Sequence, residues 1–181
     1  MTIWSKKGVA VCAVSAAAIL AIATGCKDSS AKETGGSGQS GQGTAQASAP
    51  AAGSHIDGKN YKIDAKPVGD CAAGSECKVA VRLEAQGDYH INGEYPYKLK
   101  AEGAGVEFLG TDAAGKNTFS KSAGDFVADP GTPAKAGTMT VKFKPSAKGN
   151  VTINGTFKMS VCSAQNCQLE TQEISVTVTA K

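Results

Sequence analysis

Three stretches of this chain alternate apolar and polar residues with a period of two, and that alternation restricts the fold more than any other feature. Val79, Val81 and Leu83 fall on one side of an extended chain, with Ala80, Arg82 and Glu84 on the other. Met139, Val141 and Phe143 alternate with Thr140, Lys142 and Lys144, and Ile174, Val176 and Val178 alternate with Ser175 and Thr177. A helix would scatter these apolar groups around its circumference, whereas a half-buried strand gathers them on one face. The segment VTINGTFKMSV keeps one parity through Val151, Ile153, Gly155, Phe157, Met159 and Val161. Asn154-Gly155 alone would suit a two-residue hairpin turn. The unbroken parity instead predicts one long strand with Gly155 at a bend or bulge. Shorter strands are expected over Tyr61 to Ala65, Tyr97 to Ala101 and Val106 to Leu109.

Clusters such as GTDAAGKN, ADPGTPAKAG and PSAKGN punctuate these runs, and no segment keeps a helical period over eleven residues. Strands with one apolar face each must pack face to face. The expectation is therefore an all-β fold, an immunoglobulin-like β-sandwich of seven to nine strands spanning residues 59–181. A domain of that length can bury enough surface to hold a core without disulfides.

The N-terminal third reads differently. Residues 1–25 begin with Lys6 and Lys7 and continue into VAVCAVSAAAILAIA. That apolar run is about 15 residues, short of the ~20 a membrane-spanning helix needs, and matches an export signal. Ala23-Thr24-Gly25-Cys26 resembles the lipobox of bacterial lipoproteins, with Ala23 where leucine is usual. That resemblance implies a lipid on Cys26 and a membrane-anchored chain facing the periplasm. Lys27 after the cysteine fits sorting to the outer membrane. Residues 26–58 are mostly Gly, Ser, Ala and Gln, too poor in apolar groups to offset their ordering entropy. A coil of that length reaches roughly 30 Å, and His55 reads as one of its residues. Removal of Lys6 and Lys7 lowers the formal net charge from +3 to about +1, which excludes an electrostatic case for nucleic acid.

Of six cysteines, Cys12 lies in the signal and Cys26 directly follows it, leaving Cys71, Cys77, Cys162 and Cys167 in the domain. An even number in an exported domain points to disulfides, and four cysteines permit three pairings. A loop of about six residues removes only about 2 kcal/mol of denatured-state entropy, against about 4.7 for a hundred-residue loop. A Cys162–Cys167 bond would thus be a weak staple, placed where a partner can reach it. Parity puts Val161 on the core face and turns Cys162 outward or toward the loop. Cys71 and Cys77 face the same short-loop argument, but Cys77 shares parity with Val79, so a half-buried structural bond is expected there.

The run FKMSVCSAQNCQLETQE, strand, C-x4-C hairpin, strand near the end of a sandwich, resembles the N-terminal domain of the thiol:disulfide interchange protein DsbD. GDYHINGEYPYKLKA, residues 88–101 without its leading Gly, carries the same resemblance, especially to standalone lipoprotein relatives. The likeness covers about residues 58–181. Familiar members have one more residue between the cysteines and an aromatic-Pro-Pro run where Gln168-Leu169-Glu170 stands here. The resemblance implies that Cys167 forms the mixed disulfide and that Cys162 resolves it. It also implies an aromatic cap over the pair, with Phe119, Tyr89 and Tyr95 as candidates.

The expected function is a thiol-disulfide exchange module, an oxidoreductase component relaying electrons through Cys162 and Cys167. Its partners would be a thioredoxin-like protein or DsbD-type membrane reductase on one side and exported cysteine-containing clients on the other. The alternative is a non-catalytic immunoglobulin-like lipoprotein whose disulfides are structural and whose sandwich binds another protein. No histidine lies near the hairpin in sequence and Lys158 is the closest cation, so ordinary thiol pKa values are expected. Cys162, Cys167, Met159 and His90 contain the donor types of a soft copper site. Met159 has core parity, however, so no metal and no cofactor is assigned. No nucleophile elbow, phosphate loop, HExxH or paired-carboxylate motif supports a hydrolase or transferase.

Overall fold

The computed structural model describes residues 53–181. The signal segment 1–25, Cys26 and residues 27–52 of the tether lie outside the described residues. The eleven strands are β1 (His55–Asp57), β2 (Tyr61–Val68), β3 (Cys77–Ala85), β4 (His90–Ile91), β5 (Lys98–Glu102), β6 (Val106–Phe108), β7 (Thr118–Ser120), β8 (Phe126–Ala128), β9 (Ala136–Pro145), β10 (Gly149–Cys162) and β11 (Cys167–Ala180).

They form two sheets. One runs β1-β2-β3-β9-β6, with β8 also on β9; the other runs β11-β10-β5-β7, with β4 on β10. In immunoglobulin lettering β2, β3 and β9 take the places of A, B and E, and β11, β10 and β5 those of G, F and C. The fold is an immunoglobulin-like β-sandwich. Its strand number exceeds the expected seven to nine because five elements are only two or three residues long. Such stubs are too short to show a period.

The alternating runs all lie where their pattern requires. Val79, Val81, Leu83, Met139, Val141 and Phe143 are buried from one sheet, and Leu99, Ile153, Phe157, Ile174, Val176 and Val178 from the other. Each large side chain so buried contributes about 1.5–3 kcal/mol of transfer free energy. β10 and β11 pair without interruption from Gly149↔Ala180 to Cys162↔Cys167. Gly155 therefore sits at no bulge, contrary to expectation. Its role is steric: a Cβ there would stand 3.0 Å from Leu99 Cδ2, so its bare backbone lets the β5 leucine pack over it.

The described strands also include residues that the composition assigns to the tether. Residues 53–58, read from sequence as tether, include β1, which pairs antiparallel with β2. Gly53 adds a parallel bridge to Ile174 of the other sheet. Backbone hydrogen bonds need no apolar side chains, so a strand carrying only Ile56 as an apolar group escapes a pattern search. His55, rather than being a tether residue, bonds Asp64 (Nδ1 to Oδ1, 2.7 Å) and Asp57 (Nε2 to Oδ2, 3.1 Å).

Candidate functional site: the disulfide hairpin

Long strands deliver the two C-terminal cysteines to one hairpin tip. Cys162 ends β10, Cys167 opens β11, and they are direct cross-strand partners with Cα atoms 4.0 Å apart. The Ser163 amide donates to the Asn166 carbonyl at 2.8 Å, closing the tip. Cys162–Cys167 is disulfide-bonded, as is Cys71–Cys77, whose Cα atoms lie 5.1 Å apart. No cross-pairing occurs between them.

The two sulfur pairs occupy different environments. Cys71 and Cys77 are 6% and 2% exposed and belong to the apolar core. Cys77 is thus more deeply buried than the half-buried position expected. Cys162 is equally buried, at 6%, but lies outside the contiguous core, while Cys167 is exposed. Parity does turn Cys162 away from the core face, as read from sequence. It is nevertheless covered, because the segment 89–97 folds along that flank of β10.

This covering is built from specific contacts. β4 pairs with the end of β10, Ile91 opposite Val161 and His90 opposite Cys162. One residue pair further along, the Asn92 Nδ2 donates to Ser160 Oγ at 3.3 Å. The Tyr97 hydroxyl donates to the Ser160 carbonyl at 2.5 Å, from a ring stacked on Phe126 with centroids 4.0 Å apart. Burial drives the Tyr97 hydroxyl pKa well above its ordinary value. The strand leading to Cys162 is therefore fixed on both its backbone and its side-chain edges.

The three aromatic cap candidates separate. Phe119 is fully buried on β7, edge-on to Phe108, and belongs to the core rather than to any cap. Tyr95 packs edge-on against Tyr97 and lines a shallow hollow with Pro96, Lys121 and Ser122, apart from the sulfurs. Tyr89 alone among them touches the hairpin, its hydroxyl donating to Asn166 Oδ1 at 3.0 Å. Phe119 looked available because a three-residue strand, buried throughout, gives no alternation to read.

Three residues of the site were not legible as such. His90 is distant in sequence yet stands opposite Cys162, which overturns the expectation that no histidine lies nearby. Asn92 and Tyr97 anchor the strand end. No pattern in a two-residue strand could have announced this pairing. Lys158 shares the outer face with Cys162 but lies four residues down the strand, roughly 13 Å away. It lines a groove with Lys98, Lys100 and Thr156 instead. Met159 is fully buried on the opposite, core face, which separates it from the cysteines and removes the copper arrangement. Leu169, two residues after Cys167 and on the same face, is 69% exposed.

No family model and no curated protein matches the chain. Among solved structures it is similar to a cohesin module from a Clostridium perfringens family 33 glycoside hydrolase, at 13% identity and TM-score 0.35, covering 67% of this chain and 96% of that one. It is also similar to a PapD-like domain of human CEP192, at 12% identity and TM-score 0.29, covering 70% and 91%. A further likeness is to AggA, the major subunit of aggregative adherence fimbriae type I from Escherichia coli, at 12% identity and TM-score 0.29, covering 69% and 99%. What the chain establishes by itself is an immunoglobulin-like sandwich with two short-loop disulfides, one inside the core and one at a hairpin tip.

Proposed function

We propose that this chain is a membrane-tethered periplasmic module that exchanges disulfides through Cys162 and Cys167. The supporting observation is the asymmetry of the tip bond: Cys167 is exposed while Cys162 is covered. Disulfide exchange depends on which sulfur an incoming thiolate can reach. Here a partner thiolate attacks the Cys167 sulfur, the Cys162–Cys167 bond breaks, and Cys162 leaves as a thiolate that takes up a proton. A second thiolate on the partner then attacks its own sulfur in the mixed disulfide and releases Cys167. The partner dithiol becomes a disulfide and the hairpin gains two electrons, which the same steps in reverse deliver to an exported client. The partner fits a thioredoxin-like dithiol protein, and exposed Leu169 beside Cys167 offers it an apolar contact. Lipid on Cys26 would hold the module at the membrane, in the outer membrane by its sorting residue.

A second reading keeps both disulfides structural and makes the sandwich a binding module. It draws on the exposed Leu169 and Val127 and on the same short loops. One experiment separates the two. Thiol trapping of the purified protein in glutathione buffers should give the Cys162–Cys167 couple a potential near −200 mV if it exchanges, and below about −300 mV if it is structural. Cys162→Ala should then accumulate a mixed disulfide through Cys167 with a thioredoxin-like protein. A low potential with no trapped species would overturn exchange and leave both disulfides structural.

A further inference from the structure

We infer that His90 is the general acid of this exchange site, supplying the proton that the Cys162 sulfur takes up when the disulfide opens. The inference rests on the exchange reading above and adds a residue to it. Its basis is register. Cys162 has two cross-strand partners, His90 on β4 and Cys167 on β11, so the three side chains stand in one row on the outer face of the sheet. Directly opposed residues in an antiparallel pair bring their Cβ atoms to roughly 4.5–5.5 Å, within an imidazole's reach of the neighbouring sulfur. Both His90 and Cys162 are set by the same anchors. The Ile91 amide bonds the Ala134 carbonyl at 2.8 Å, and Asn92 and Tyr97 grip Ser160.

Chemistry gives the row a purpose. Cys162 is the leaving sulfur, and it is covered, so water has poor access to it. A thiolate emerging there is costly unless a cation or proton donor adjoins it. An imidazolium at the next ladder position supplies both. It passes its proton to the Cys162 sulfur, becoming neutral imidazole, and recovers a proton from solvent along the groove it lines with Glu94 and Asp129. In the oxidising direction the neutral imidazole accepts the Cys162 proton and restores the attacking thiolate. Histidine is the side chain that can do both near neutral pH.

Other charged groups surround β4 and bear on its pH behaviour. Asp88 and Tyr89 precede it in the chain and Glu94 follows. Arg82 and Glu84 lie on β3, with Arg82 paired to Asp129. The Lys135 ammonium, just before β9, is committed to the carbonyls of Gly87 and Tyr89. Cys162 and Cys167 complete the set.

The test compares wild type, His90→Gln and His90→Lys in two measurements from pH 5.5 to 9. The first is the rate of reduction by dithiothreitol, corrected for its thiolate fraction. The second is the alkylation rate of Cys162 in the reduced protein, resolved by peptide mass spectrometry. His90→Gln should slow reduction roughly three- to tenfold on the acid side and raise the apparent Cys162 pKa by about one unit. His90→Lys, a permanent cation, should keep Cys162 alkylation close to the wild-type rate and give a flatter pH profile than wild type. Superimposable profiles for all three proteins would overturn the role of His90 and leave exchange standing. A wild-type tip bond that resists millimolar dithiothreitol until the domain unfolds would overturn the exchange reading itself.

Discussion

The two disulfides of this domain are close to a controlled pair. Their sequence separations are six and five residues, both close short loops, and each has a cysteine at the start of a strand. They differ in what surrounds them. Cys71–Cys77 joins the apolar core, and its loop is tied down by the C-terminus: the Lys181 amide bonds the Cys71 carbonyl and the Ala73 amide bonds the Lys181 carbonyl. Cys162–Cys167 sits at the free end of the longest hairpin, one member covered by β4 and the other open. Loop length, which is what sequence reports, assigns both bonds the same modest entropic value. Environment, which sequence does not report, separates a staple from an accessible bond.

The sharpest way to break that comparison is to delete each bond in turn. Cys71→Ala with Cys77→Ala should lose the loop entropy, about 2 kcal/mol, and also core packing worth about another 1–2 kcal/mol. Cys162→Ala with Cys167→Ala should lose about 2 kcal/mol or less, because only one of its side chains is covered. Urea unfolding of the two double variants against wild type reads the difference directly. Equal losses, or a larger loss at the tip, would mean that the tip bond is structural too.

The same contrast explains how much could be read from residues alone. The long strands were legible because burial on one face writes itself as a period of two: Val79 to Leu83 and Ile174 to Val178 needed no coordinates. The turn of Cys162 away from the core face followed from the same parity, whereas the choice among three cysteine pairings was settled only by the fold. What stayed hidden were features set by strand neighbours distant in sequence. Gly155 looks like a bulge in a one-dimensional pattern, and only the presence of Leu99 on β5 explains it. Phe119 offered itself as a cap because a short strand buried throughout looks like a loop with an aromatic. His90 carries no sign of its place beside Cys162, since the two-residue strand that puts it there has no pattern to detect.

A smaller effect sharpens the account of the tip. Tyr89 tethers Asn166 from outside the hairpin, and Tyr89→Phe removes that hydroxyl alone. On a site this exposed the loss should be at the low end of a hydrogen bond's net value, about 0.5 kcal/mol. Opening at Cys167 should accelerate correspondingly, and dithiothreitol reduction of the tip bond should quicken about twofold while that of Cys71–Cys77 is unchanged. An equal gain at both bonds would mean general loosening rather than a local restraint.

The smallest effect concerns β1, the first strand of the domain. The hydrogen bond that His55 donates to Asp64, aided by Asp57, raises the His55 pKa above its ordinary 6.5. A group whose folded pKa is raised contributes most below its unfolded value and loses that contribution as pH climbs through the folded one. β1 should therefore be held slightly better near pH 6 than near pH 8, with salt weakening the effect because all three side chains are exposed. His55 proton titration by NMR should give a midpoint above 6.5 that falls in Asp64→Asn. Amide exchange at Ile56 should be slower at pH 6 than at pH 8 once intrinsic rates are divided out, and less so in the variant. If the variant keeps the wild-type ratio, β1 is held by its backbone bonds to β2 alone, and the charged cluster only decorates it.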